Sequence, residues 1–198
     1  AQLGMIEKTL ELPYRVPDEK RLAWARPIAA KIENDVPKTK EEVYAREALI
    51  LHERQKTSVK LQAIRIGDCS IATLPNEVYA ITGLKLREYS PFKMHFNIEL
   101  ANGAEGYIPP PEQHELGGYT TWPARTAGLH RESEPVILKE LVMAGFKLAG
   151  GVLDKMPNDN GTFAQAVIKS SPLALFRCNE LSLRDYLRND AANDEIVG

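Results

Sequence analysis

The sequence predicts an α+β fold, a mixed set of strands and packed helices, on three observations. Residues 94–100 alternate strictly between apolar and polar, and residues 39–56 carry apolar side chains at helical spacing. The pair Gly67-Asp68 separates two short apolar runs as a hairpin turn does. With 43% hydrophobic and 26% charged residues in a length of 198, the chain has the composition of an ordinary globular domain and length enough for one substantial core.

Taken in order, a first helix is expected over residues 17–32. Pro17 suits an initial turn, Asp18 and Glu19 complement the positive helix end, and Pro27 should kink or divide it. A second helix spans 39–56, where Tyr44, Ala48 and Leu51 stand at i, i+4 and i+7 beside Val43 and Ile50, and His52 is a surface or boundary residue. In the strand that follows, Val59, Leu61 and Ala63 alternate with Lys60 and Gln62 before Ile64 and Ile66 take the apolar phase, which predicts a bulge or burial on both faces. The hairpin leads into a second strand over 69–74, stopped by Pro75. Residues 76–88 are apolar almost all round, through Val78, Tyr79, Ala80, Ile81, Leu84 and Leu86, and predict a buried helix.

The next strand has Met94, Phe96, Ile98 and Leu100 as its expected core face and Lys93, His95, Asn97 and Glu99 as its polar face. Three prolines at 109–111 make a stiff extended passage, 117–125 a loop and 132–145 the last helix. Gly150-Gly151 and the run NDNG at 158–161 mark a boundary. The resulting division is a domain at 1–148, a linker at 149–169 and a tail at 170–198.

A formal net charge of -2 leaves no basic field for a nucleic-acid partner. Cys69 and Cys178 are too few and too far apart for a disulfide scaffold or a zinc finger, and each reads as a free buried thiol. The longest apolar stretch, 141–153, is broken by Lys147 and glycines and falls short of the ~20 residues of a membrane span.

Ligand sites in open sheets gather beyond strand ends, where a strand-to-helix turn delivers the first residues of the helix. Glu77 stands at such a turn, where its carboxylate either binds a cation or simply complements the helix dipole. Tyr107 ends a strand between a glycine-bearing turn and prolines that fix its direction, so its phenol either ligates metal, donates to a developing oxyanion or only packs. Tyr119 follows a glycine pair and has the same choices. The four histidines, His52, His95, His114 and His130, form no HxH or HExxH arrangement and read as structural or exposed.

LPNEVYAITGLKLRE at 74–88 and ANGAEGYIPPPEQHELGGY at 101–119 carry a resemblance, supported upstream by VPDEKRLAWARPIAAK at 16–31 and EEVYAREALIL at 41–51. On them, residues 8–146 resemble the carboxyl-terminal half of the catalytic domain of the neutral, non-lysosomal ceramidase family in its shorter bacterial form. The resemblance implies a zinc-dependent amidohydrolase that cleaves the N-acyl bond of ceramide or another N-acyl lipid by metal-activated water. It matches Glu77 and Tyr107 to metal ligands, Tyr119 to a catalytic residue that also contacts substrate, and Asn102 to a substrate-binding residue. In that family two histidines and a serine complete the site, upstream of anything matching Ala1. The chain is thus expected to hold about half of the zinc site and to be inactive without an amino-terminal region.

The immunoglobulin-like carboxyl-terminal domain of that family is not recognisable after Gly150. The stretch SSPLALFRCNELSLRD at 170–185 resembles the opening strand of concanavalin-like jelly-roll modules, which implies an exported or periplasmic multidomain hydrolase. Two alternatives stay open: a non-catalytic binding or assembly module on the same scaffold, and a hydrolase of another N-acylated substrate.

Overall fold

A computed structural model describes residues 1–153; the carboxyl-terminal part of the expected linker and the whole 170–198 tail, with Cys178, lie outside the described residues. Strand β1 (Leu3–Pro13) pairs antiparallel with β2 (Lys56–Ile66), β2 antiparallel with β3 (Cys69–Thr73), and β3 parallel with β5 (Met94–Ile98), giving a sheet of order β1-β2-β3-β5. A second ladder is only two residues long and parallel, β4 (Glu77–Val78) on β6 (Tyr107–Ile108). Helices α1 (Glu19–Ala29) and α2 (Lys40–Arg54) pack as a hairpin between β1 and β2. Helix α3 (Ala80–Glu88) makes the crossover to β5, α4 (Pro111–Leu116) follows β6, and α5 (Ser133–Leu148) closes the described chain. The fold is α+β, as the sequence predicts.

Local chemistry accounts for the helix limits. Asp18 caps α1 by accepting from the Arg21 N–H at 2.8 Å, and Thr39 and Glu42 form a reciprocal capping box on α2. Pro27 does not divide α1, because it sits in the last turn, where little helix remains to be disturbed. The Gly67-Asp68 turn joins Ile66 to its partner Cys69, with Gly67 at a φ of +62°. The β1–β2 register is continuous from Leu3↔Ile66 to Pro13↔Lys56, so β2 carries apolar side chains on both faces without a bulge.

The core lies between the inner sheet face and the helices α5 and α3, with Leu12, Val59, Leu61, Ala72 and Leu74 against Leu86, Ile137, Leu141 and Val142. A smaller cluster, Ala25, Ala45 and Ala48 with Trp24, Ile28 and Leu49, joins α1 to α2.

Four of the expectations are corrected here. Residues 76–79 are not helical: Glu77 and Val78 form β4, and α3 starts at Ala80. Nor is α3 buried all round, since only Thr82 and Leu86 are buried and Leu84 is 43% exposed. The third is β5, a strand as expected but turned over. His95 and Asn97 face inward, His95 bonding Ser70 Oγ and Asn97 Oδ1 at 2.7 and 3.0 Å and Asn97 donating to the Gly83 carbonyl at 3.2 Å. Met94, Phe96 and Ile98 are exposed instead. Polar partners on β3 and α3 satisfy the inward side, and alternation alone cannot show which face of a strand meets the core. Cys69, expected to be buried, is a half-buried free thiol on that same outer face.

Candidate functional site

Past β3 the chain is pulled through the loop that follows β5. Leu74 donates to the Ile98 carbonyl at 3.2 Å and Ala101 to the Leu74 carbonyl at 3.0 Å; Glu105 reaches Pro75 O at 2.7 Å and Leu100 reaches Asn76 O at 3.3 Å. Leu74 and Asn76 are fully buried, and the Asn76 amide donates to the Glu105 and Gly106 carbonyls at 3.4 and 3.5 Å. This stitching delivers the Glu77 N–H to Gly106 O at 3.0 Å and sets Glu77 directly opposite Tyr107. Tyr107 thus begins β6 rather than ending a strand, and Glu77 lies in a strand, outside the first turn of α3, so the helix-dipole account of it no longer applies.

Gly106 makes the crossing possible. Its φ is +69°, and a Cβ built there would stand 2.3 Å from the Thr126 carbonyl oxygen, so no side chain fits.

Tyr119 begins a short 3-10 turn over Tyr119–Thr121 that is held from two sides. The Tyr79 and Thr120 hydroxyls share a hydrogen bond of 2.5 Å, and Arg15 donates to Thr121 O at 2.7 Å and to Ala127 O. The Tyr119 ring meets Tyr107 edge-on at 5.6 Å between centroids, then Trp122 at 6.2 Å, and Trp122 meets Tyr44 on α2 at 5.6 Å. An aromatic wall therefore runs from Tyr107 to α2. The negative charge of Glu77 and then burial raise the Tyr107 phenol above its ordinary range, with Tyr119 adding to the shift.

Glu77, Tyr107 and Tyr119 all border one open cleft of about 640 Å³, which Glu47 and Arg125 also line. Asn102 is not brought to it. At a φ of +66° it holds its amide on the Gln62 side chain at 3.1 Å, across the sheet end.

Sequence reasoning missed Glu47 and Arg125. Glu47 is 4% exposed, and its carboxylate accepts from Arg125 Nε at 2.9 Å, Nη2 at 2.7 Å and the Arg125 backbone N–H at 3.0 Å. Burial pushes the Glu47 carboxyl up, but the Arg125 hydrogen bonds and charge outweigh it and hold the carboxyl below its usual range. A signal existed: Glu47 lies within the Tyr44, Ala48, Leu51 stripe of α2, where an apolar residue is the rule.

The Glu77 carboxylate is an oxygen donor of the kind zinc accepts, and Tyr107 is paired directly with it, so the two would fit a metal only as part of a larger donor set. Among the described residues no group of three His, Cys, Asp or Glu stands together. His52 is exposed on α2, His95 lies between Ser70 and Asn97, His114 is on α4, and His130 follows Leu129 on the chain that bonds Pro13. None of the four borders the cleft.

No family model and no curated protein matches the sequence. Among solved structures, neutral ceramidase from Pseudomonas aeruginosa matches with a TM-score of 0.51 over 80% of this chain and 30% of that chain, at 11% identity. A ceramidase complexed with C2 matches with a TM-score of 0.43 over 52% of this chain and 17% of that one, at 16% identity. The described fold is therefore one found in neutral ceramidase, and the chain spans less than a third of the length of either solved chain.

Proposed function

We propose that this chain is part of the catalytic domain of a zinc-dependent N-acyl amidohydrolase of ceramidase type, to which it contributes the Glu77 carboxylate and the Tyr107 phenol as metal donors. The observation that carries the reading is the direct pairing of Glu77 with Tyr107 across a parallel ladder, with Tyr119 edge-on at the same cleft. Zinc supplies a Lewis acid that polarises an amide carbonyl and acidifies water. Tyr119, 58% exposed and lining the same cleft, would donate a hydrogen bond to the amide oxygen as charge develops on it. The adjoining cleft of about 540 Å³ is lined by Pro37, Val43, Tyr44, Tyr119 and Trp122 together with Lys38, Thr39 and Lys40, and its apolar part suits the hydrocarbon of an N-acyl lipid.

Two oxygen donors hold zinc weakly, so hydrolysis needs donors from an amino-terminal region. The test measures zinc content and ceramide hydrolysis for the chain alone and for the protein extended by its amino-terminal region, against a panel of other N-acyl amines. Stoichiometric zinc and turnover are expected only in the extended protein, with zinc occupancy falling in Glu77→Ala. No gain of zinc on extension refutes the reading, and turnover confined to another N-acyl amine replaces the substrate while keeping the site.

A further inference from the structure

The two faces of the four-stranded sheet differ in what covers them. The inner face lies under α5 and α3. On the outer face the register sets Leu3, Ile66, Cys69 and Met94 in one row across all four strands, and Met5, Ile64, Ile71 and Phe96 in the next. Leu3 is 73% exposed, Met94 59%, Met5 58% and Phe96 49%. With Ile66 and Ile98 these side chains present on the order of 600 Å², the upper end of what a monomer leaves bare. A sheet with one wet face alternates apolar-in and polar-out. This outer face does so only at its other end, where Lys60–Glu7 and Lys56–Glu11 ion pairs cross from β2 to β1.

We propose that this apolar face is the seat of a second β-sheet, contributed by the polypeptide that completes the catalytic domain and its set of metal donors; the inference rests on the reading above. The rows run across the full width of the sheet, from edge strand β1 to edge strand β5, so they fit another broad face stacked about 10 Å away. The matched fold occupies 30% of a longer solved chain, so most of that solved chain has no counterpart in the unit described here. Leu100, 51% exposed, joins the face to the cleft: it follows Ile98 out of β5 and borders the same cleft as Glu77 and Tyr107. A sheet seated on Met94, Phe96 and Ile98 consequently ends beside the two oxygen donors. One surface both hides the apolar rows and carries the missing ligands into place.

Cys69, in the first row, reports on the seat. With Cys178→Ser in every sample, maleimide labelling is timed in this chain and in the protein extended by its amino-terminal region. Labelling at least tenfold slower in the extended protein is expected, and Phe96→Asp there should return the rate towards that of this chain. In this chain by itself Phe96→Asp should leave the thermal midpoint unchanged, since the half-exposed ring is not needed for this unit to fold. Equal labelling rates in the two proteins overturn the proposal. So does protection in this chain alone that grows with concentration and sediments as a dimer, which gives the face to a second copy. Labelling does not read turnover: Cys69 protected without hydrolysis removes the functional reading alone, and hydrolysis with Cys69 unprotected removes this one alone.

Discussion

Replacing Arg125 by methionine probes the part of the cleft that Arg125 and Glu47 line. Methionine keeps the aliphatic stem and the backbone N–H bond to Glu47 but removes both guanidinium bonds, at 2.9 and 2.7 Å. Removing one partner of a fully buried ion pair costs about 3–5 kcal/mol. Here the Arg125 side chain is 42% exposed, and Arg46 stays 3.6 Å from the Glu47 carboxylate, so screening and partial replacement bring the cost to ~2–3 kcal/mol. For a chain of this size that is a fall in Tm of roughly 5–10 °C. The assay is urea unfolding with a shared m-value, at pH 7 and again at pH 4. The folded Glu47 carboxyl sits below its unfolded value, so its contribution is present above about pH 4.5 and fades as pH falls through the folded value. Without Arg125 burial acts on Glu47 with less opposition, protonation relieves it, and the penalty at pH 4 should be smaller than at pH 7. A loss under ~0.5 kcal/mol at pH 7, or one indifferent to pH, would refute the argument.

Two further expectations concern the frame of the site. Gly106→Ala should cost roughly 3 kcal/mol or more and release the β4–β6 ladder, because the new Cβ would meet the Thr126 carbonyl at 2.3 Å, whereas Gly67→Ala, with its nearest neighbour at 3.7 Å, should cost only the ~1–2 kcal/mol of its φ; thermal melts of both variants compare them. Burial, then Arg15 and Arg131, push His114 down to about 4. Between that value and its ordinary 6.5 the unfolded chain binds more protons than the folded one, so stability should rise with pH across this window and be lost on acidification, by ~1–2 kcal/mol after allowance for solvent screening. His114→Gln should flatten that slope in unfolding curves taken from pH 4 to 7.

Periodicity identified elements better than it identified their faces. The hairpin at Gly67, the capped α2 and the strand at Met94 are all where local chemistry puts them. Strand β1 left no clear trace, because its inner positions include Gly4 and Lys8 and its outer ones Leu3 and Met5, which erases the alternation. Lys8 is tolerated inward because its ammonium bonds Glu140 on α5 at 2.5 Å. The inversion of β5 has the same root: a strand with a polar side and an apolar side fits either way up until its neighbours are known. Ser70 and Gly83, brought in by β3 and α3, decide it.

The site divides along a similar line. Glu77 was legible as a carboxylate just past a strand, but its being opposite Tyr107 depends on backbone bonds from residues 74–77 to 98–106, none of which side-chain pattern encodes. Glu47 and Arg125 are 78 positions apart, and each alone reads as a surface charge. Their meeting ties the Arg125–Ala127 turn to α2 at the cleft, while Arg15 ties the Tyr119 turn to the chain leaving β1. The candidate metal donors sit on backbone fixed by a glycine that no other residue can replace, and the tyrosine beside them on a turn pinned by side chains. Backbone pairing thus fixes Glu77 against Tyr107, while side-chain bonds from Tyr79 and Arg15 fix the Tyr119 turn, so the two parts of the cleft depend on different residues.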